Sequence, residues 1–200
     1  MEKDEIELEL GMSYRELVNY LLKKYGPAKG DYFRNETCRS KNPIVSRSDE
    51  GLECHHIDED KAIMLSMTNF AIRNPYKYQR ADRLVYANLF EHLILHLKIV
   101  KEPLKASANV GEAVGIGGAI NLICLLNDYY NGYEFKRPYL VKATSMFENN
   151  FDEYIEIILE LLRATTLTYN ERFINKEIAS QGSDGKIVKK VYERLKPAVV

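Results

Sequence analysis

Cysteine is scarce in this chain, which carries only Cys38, Cys54 and Cys124. An odd number with no Cys-x-x-Cys excludes a zinc ribbon, argues against a disulfide framework and fits a reducing cytoplasm. Charge of one sign is also lacking. The 28 Lys+Arg stand against 29 Asp+Glu, a formal net charge of −1, so no global basic field announces nucleic acid and any such partner is met locally. Long hydrophobic runs are missing too. The longest apolar stretch, Ala113 to Leu126, contains Asn121 and falls short of the ~20 residues that cross a bilayer, so no membrane span is expected. The first residues, Met1 to Glu7, are acidic and lack the basic-then-apolar order of a secretion signal. What is present is ordinary globular material, with 46% hydrophobic and 28% charged residues in 200. That is one domain, or a small domain with appended elements.

Along the chain, Tyr14, Leu17, Val18, Leu21, Leu22 and Tyr25 form a helical stripe over 13–25, with Ser13 and Glu16 as a capping box and Gly26-Pro27 as the stop. From Lys29 to Glu50 the spacing predicts loops with one short strand at Ile44-Val45-Ser46. Eight Lys/Arg against three Asp/Glu between Arg15 and Arg47 make this a candidate phosphate-contacting stretch. Leu52–Ile57 reads as a strand, Asp58–Lys61 as a polar turn and Ala62–Ser66 as a second strand. Leu84, Val85, Leu89, Leu93, Leu97 and Val100 predict a helix from Ala81 to about Val100. An apolar helix follows at 109–130, its glycines suited to close helix packing rather than to phosphate. Phe151–Leu162 predicts a cleaner amphipathic helix. Lys186–Lys196 predicts a last helix with Val191 and Leu195 inward and a basic outer face.

All four histidines fall within residues 55–96, as the adjacent pair His55-His56 and the i,i+4 pair His92 and His96. On a helix, residues four apart lie on one face, so His92 and His96 can present nitrogens to one metal ion. On a strand, neighbours point to opposite sides, so His55 and His56 should divide the labour. One completes a three-histidine set with an open fourth position, the composition of a catalytic site; the other is free as a base near neutral pH.

Glu53-Cys54-His55-His56-Ile57-Asp58 followed by Leu84 through Glu91-His92-Leu93-Ile94-Leu95-His96 resembles the HNH, or ββα-metal, nuclease motif of phage, mobile-element and restriction enzymes. The histidine set is also similar to that of the colicin DNases. The resemblance covers residues 51–100. It implies that His55, His92 and His96 ligate one divalent metal (zinc, manganese, nickel or magnesium) and that His56 is the general base. Nitrogen donors favour zinc, nickel, cobalt or manganese over magnesium. Glu91, beside a ligand, and Asp58 or Asp60, in the turn, are the carboxylates expected to hold the ligands in place. The family's middle Asn is matched in position by Arg83, which has no acceptor but can reach a phosphate; Asn69, Asn74 and Asn88 are alternatives for orienting the base.

The expected architecture is α+β, mostly α. It comprises an N-terminal helix and basic loop segment (1–50), a central ββα-metal unit (51–101) and a helical C-terminal region (102–200). The expected function is a cytoplasmic metal-dependent endonuclease that hydrolyses DNA, with RNA as an open alternative and a homodimer as an open assembly. Arg73, Lys77 and Arg80, set among Phe70, Tyr76 and Tyr78, and the basic helix face of Lys186, Lys189 and Lys190 are the expected nucleic-acid contacts. Two other readings fit the same residues. One is a catalytically inactive HNH-fold DNA-binding or scaffold module, suggested by Arg83; the other is a structural metal site in a helical interaction protein.

Overall fold

The computed structural model describes residues 3–102, 114–164, 191 and 194–195. The chain runs α1 (Lys3–Gly11), α2 (Tyr14–Tyr25), β1 (Glu53–His56), α3 (Thr68–Ala71), β2 (Leu84–Ala87), α4 (Leu89–Lys101), α5 (Ile116–Tyr130), α6 (Pro138–Ser145) and α7 (Phe151–Ala164). This is an α+β fold that is mostly α. No helix among the described residues is long and apolar enough to cross a membrane.

The capping box of α2 forms as its sequence predicts, with Ser13 and Glu16 each satisfying the other's backbone N–H. The charged segment before it is also helical. Its Ile6 is buried against the core while Asp4 and Glu5 occupy the positive N-terminal turn.

The strand pair is where the structure departs most from sequence periodicity. β1 pairs antiparallel with Leu84–Ala87, in the register Glu53↔Ala87, Cys54↔Tyr86, His55↔Val85 and His56↔Leu84. The second strand is therefore not Ala62–Ser66. There Met64 takes a left-handed φ of 53°, which breaks an extended run. The helix begins at Leu89 rather than Ala81, because Leu84–Ala87 is buried on both faces. Leu84 and Tyr86 enter one apolar cluster with Phe33, Val45 and Leu52, while Val85 and Ala87 enter the main core. An apolar strand buried on both sides shows no alternation, so it merges by eye into the helix that follows. Likewise Pro43–Val45 is a short 3-10 turn, not a strand.

Helix α4 is the axis of the fold. It packs against α5, α7, α2 and α1, so elements from all three segments of the chain bury Leu89, Phe90, Leu93, Ile94 and Leu97. Phe90 stacks on Phe147 with ring centroids 4.2 Å apart and planes at 7°. The helices at 116–130 and 151–164 fall within or close to their predicted spans, and Val191 and Leu195 are buried as their spacing requires. The remainder of the predicted C-terminal helix, with Lys186, Lys189 and Lys190, lies outside the described residues, as does the start of the 109–130 helix.

Leu93→Ala, at the centre of this axis, is expected to lower the unfolding free energy by ~2–5 kcal/mol. Ile72→Ala, at a side chain 56% exposed, should change it by no more than ~0.5 kcal/mol. Urea denaturation of the two variants checks both values, and equal losses would contradict this placement of the core.

Candidate metal centre

Two local rules bring three histidines together. Neighbouring strand residues point to opposite faces, so His55 faces α4 while His56 faces away. Helix residues four apart share a face, so His92 and His96 rise one above the other toward β1. Asn88, the single residue between β2 and α4, caps the helix by accepting from the Phe90 and Glu91 amides, both at 2.9 Å. That cap sets the phase of α4 against the sheet. Ring centroids are 5.0 Å apart for His55 and His92, 5.1 Å for His55 and His96, and 4.9 Å for His92 and His96. One nitrogen from each lies within 4.8 Å of the others.

Hydrogen bonds orient these rings. The Tyr14 hydroxyl donates to the Ile57 carbonyl at 2.9 Å and so accepts from His55 Nε2 at 3.0 Å. His55 Nδ1 is left with its lone pair, buried and without a hydrogen-bond partner. His92 Nδ1 donates to Glu53 Oε2 at 2.6 Å, which turns Nε2 toward the cluster in the manner of carboxylate-supported metal ligands. The His96 ring is also buried, with Nδ1 outside hydrogen-bond geometry and the Gly115 backbone beside the ring, and with Nε2 3.6 Å from Glu59 Oε2. Burial, followed by the neighbouring imidazoles, holds His55 and His96 well below the usual histidine pKa, so both are neutral donors. A neutral ring with an orphaned buried nitrogen, as at His55, is what a divalent cation with nitrogen preference requires.

Glu59, in the 3-10 turn Ile57–Asp60 directly after β1, adds a carboxylate. Its Oε2 lies 3.7 Å from His55 Nδ1 and 3.6 Å from His96 Nε2, and its Oε1 lies 4.0 Å from His56 Nδ1. Burial pushes its pKa up to about 7. The cluster opens on a cavity of about 240 Å³. Alongside lies a cleft of about 600 Å³, which shares Glu53, Cys54, Ser66 and His92 with it and carries Lys41, Arg47, Tyr32 and Tyr139 on its walls. From the other side α5 presents Gly118 directly against the His96 ring. A Cβ there would fall 2.1 Å from Cε1.

Comparison with family models, curated proteins and solved structures finds no significant match to this chain.

His56 is held apart from the three. Its Nε2 donates to Gln79 Oε1 at 2.8 Å, a polarity set by Gln79 Nε2 donating to the Leu65 carbonyl at 3.1 Å. Nδ1 is thereby the lone-pair nitrogen. The ring lies 4.4 Å from that of Tyr32, is 1% exposed and has its pKa pushed down to about 4 by burial. Gln79 thus holds the position beside His56 for which Asn69, Asn74 and Asn88 were candidates. Asn69 is exposed, Asn74 donates to the Phe70 carbonyl and Asn88 is the α4 cap.

The carboxylates expected to support the ligands do other work. Asp58 receives the Arg83 fork, at 2.7 Å from Nε and 2.6 Å from Nη2, together with Lys61. The Arg83 guanidinium is therefore engaged by a buried carboxylate, lining a cleft with Lys77, Tyr78 and Arg80 that does not include the histidines. Arg73 is exposed just beyond α3. Asp60 lines a further cleft with Tyr14 and Arg15. Glu91, one residue from His92, is rotated about 100° around the helix. It accepts from the Asn88 amide at 2.6 Å, from Lys24 at 2.6 Å and from Tyr25 at 3.0 Å. Glu53 and Glu59 take the places next to the histidines instead. Glu53 was findable, because it shares a strand face with His55 two residues on. Tyr14 and Gln79, 41 and 23 residues from their histidine partners, carry no local signal.

Two expectations follow from this geometry. Gly118→Ala should displace the His96 ring and lower zinc affinity by ~10-fold or more, while Gly117→Ala, with open space around its Cα, should not; competition with a chromogenic chelator reads both. On α1, Glu9 is fully buried beside the Glu91 and Glu5 carboxylates. Burial, and then the Glu91 charge, raise its pKa from 4.5 to about 8. Between those values the folded protein holds a proton that the unfolded chain releases, so this site's contribution to stability declines as pH rises through the window. Glu9→Gln should flatten that decline, and urea midpoints at about pH 5 and about pH 8 measure it.

Proposed function

We propose that this chain is a metal-dependent endonuclease of the HNH, or ββα-metal, type that hydrolyses DNA phosphodiester bonds. The observation that carries the reading is the meeting of His55 from β1 with His92 and His96 from α4, on a strand, strand and helix in that chain order. Those three residues would hold one divalent ion, with zinc, nickel, cobalt or manganese favoured by the nitrogen donors. When bound, the ion would polarise a phosphate and stabilise charge on the leaving oxygen.

The protein groups divide the remaining tasks. Tyr14 and Glu53 lock the His55 and His92 rings with their free nitrogens inward. Gln79 keeps the His56 proton on Nε2 and leaves Nδ1 to accept one, beside the Glu59 edge of the cluster. In the adjoining cleft Lys41 donates to the Tyr32 hydroxyl at 2.9 Å with its ammonium 5.1 Å from the ring centroid. This sets a cation for phosphate on the wall of the cleft that His92 also lines. A second reading draws on the 1% exposure of His56: a module that binds metal and nucleic acid without cutting.

Supercoiled plasmid incubated with the purified protein and manganese, magnesium, nickel, cobalt or zinc separates the two. Cleavage is expected, with single-stranded RNA run in parallel to test the choice of nucleic acid. His96→Ala should lose bound metal and cleavage together. His56→Ala should keep the metal and lose ~10²–10⁴-fold in rate. Wild-type protein that retains metal yet never cuts would favour the binding module, and equal metal loss in both variants would make His56 a ligand rather than a base.

A further inference from the structure

Resting on the metal-centre reading above, we infer that Glu59 is a fourth metal ligand, so that the centre is a three-histidine, one-carboxylate site. Four donors around a tetrahedral ion at bond lengths of about 2.1 Å stand roughly 3.4 Å from one another. Glu59 Oε2 is 3.7 Å from His55 Nδ1 and 3.6 Å from His96 Nε2. These separations are too long for hydrogen bonds and near the spacing of donors that share an ion.

The chemistry of the facing groups points the same way. Tyr14 occupies the proton-bearing side of His55, which leaves Nδ1 as an acceptor. A carboxylate oxygen is an acceptor as well. Two acceptors therefore face one another in a nearly closed site, where the Glu59 side chain is 13% exposed. Its ion-pair neighbours among the described residues are the imidazoles of His55, His56 and His96 alone, so no lysine or arginine neutralises it there. The Leu65 backbone N–H also reaches this carboxylate but brings no charge; a buried carboxylate is stabilised by a cation, and one placed between Glu59 Oε2 and the orphaned His55 Nδ1 would satisfy both.

The placement has a simple origin. His55 is the next-to-last residue of β1, and the tight turn Ile57–Asp60 that follows the strand folds the residue four positions on back over it. A carboxylate in the donor set makes the site more hospitable to manganese than three imidazoles alone. It also means that an incoming phosphate oxygen either displaces Glu59 or joins as a fifth donor. Glu59 Oε1 meanwhile remains toward His56 Nδ1.

The test is titration of the full-length protein with cobalt(II) as a visible probe and with zinc by chelator competition. Wild type should bind one equivalent. Glu59→Gln should bind at least ~10-fold more weakly and show altered cobalt ligand-field bands, while the metal-free variant melts no lower than wild type, because an uncompensated buried charge has been removed. Wild-type affinity and an unchanged cobalt spectrum in Glu59→Gln would overturn the inference and leave the three-histidine centre standing. No metal uptake by wild type would overturn both. A crystal structure of the zinc-loaded wild type decides independently of the variant's folding: a Glu59 oxygen about 2.0–2.2 Å from the ion supports the assignment, and its absence from the ion's ligands refutes it.

Discussion

The start of α4 is the constraint on which the rest of this structure depends. Asn88 follows β2 directly and caps α4, and Glu91 returns to its backbone N–H at 2.6 Å. With no linker to absorb rotation, the pairing of β2 with β1 and the phase of the helix become one setting. His55 faces the helix because of its strand parity, and His92 and His96 face the strand because of their distance from the cap. A shift of one residue in either element would turn His56 inward in place of His55, or rotate the helix by about 100° and present Glu91 in place of His92.

Glu91 shows how much of the interior serves this arrangement. It holds the cap with one oxygen and gathers Lys24 and Tyr25 of α2 with the other, fastening the N-terminal hairpin of helices to the central one. Lys98 does the same at the far end of α4, donating to the Leu10 carbonyl at 2.5 Å. The candidate metal centre is thus built on the central packed helix of the fold, with the cluster at the edge where that helix meets the sheet. Rigid support suits a site whose donors must hold an ion at fixed distance.

Burial then sets the electrostatics. His55 and His96 are neutral because charging them inside the fold is costly, and His55 keeps a ring nitrogen without a hydrogen-bond partner. Glu59 sits opposite them with no lysine or arginine within ion-pair distance among the described residues. An interior normally satisfies its polar atoms, and the orphaned His55 nitrogen facing a buried carboxylate is the observation on which the candidate cation site rests.

Much of this was legible from residue order alone. The mostly helical α+β class, the α2 capping box, the amphipathic α7, the shared face of His92 and His96 and the division of His55 from His56 follow from periods of 3.6 and 2, which are local properties of the backbone; that His55 is the one to join the helix pair was implied by the family resemblance. The second strand was not legible, because both faces of Leu84–Ala87 are buried and an apolar run without alternation has no period to read. Nor were the partners of the histidines, save Glu53. Tyr14, Gln79 and Gly118 reach the site from α2, from the turn before β2 and from α5, and Arg83 and Asp58 find each other across 25 residues. Sequence by itself determined which side chains could share a face. Only tertiary structure decided which faces meet, since that choice belongs to packing among segments whose separation along the chain carries no information about their distance in space.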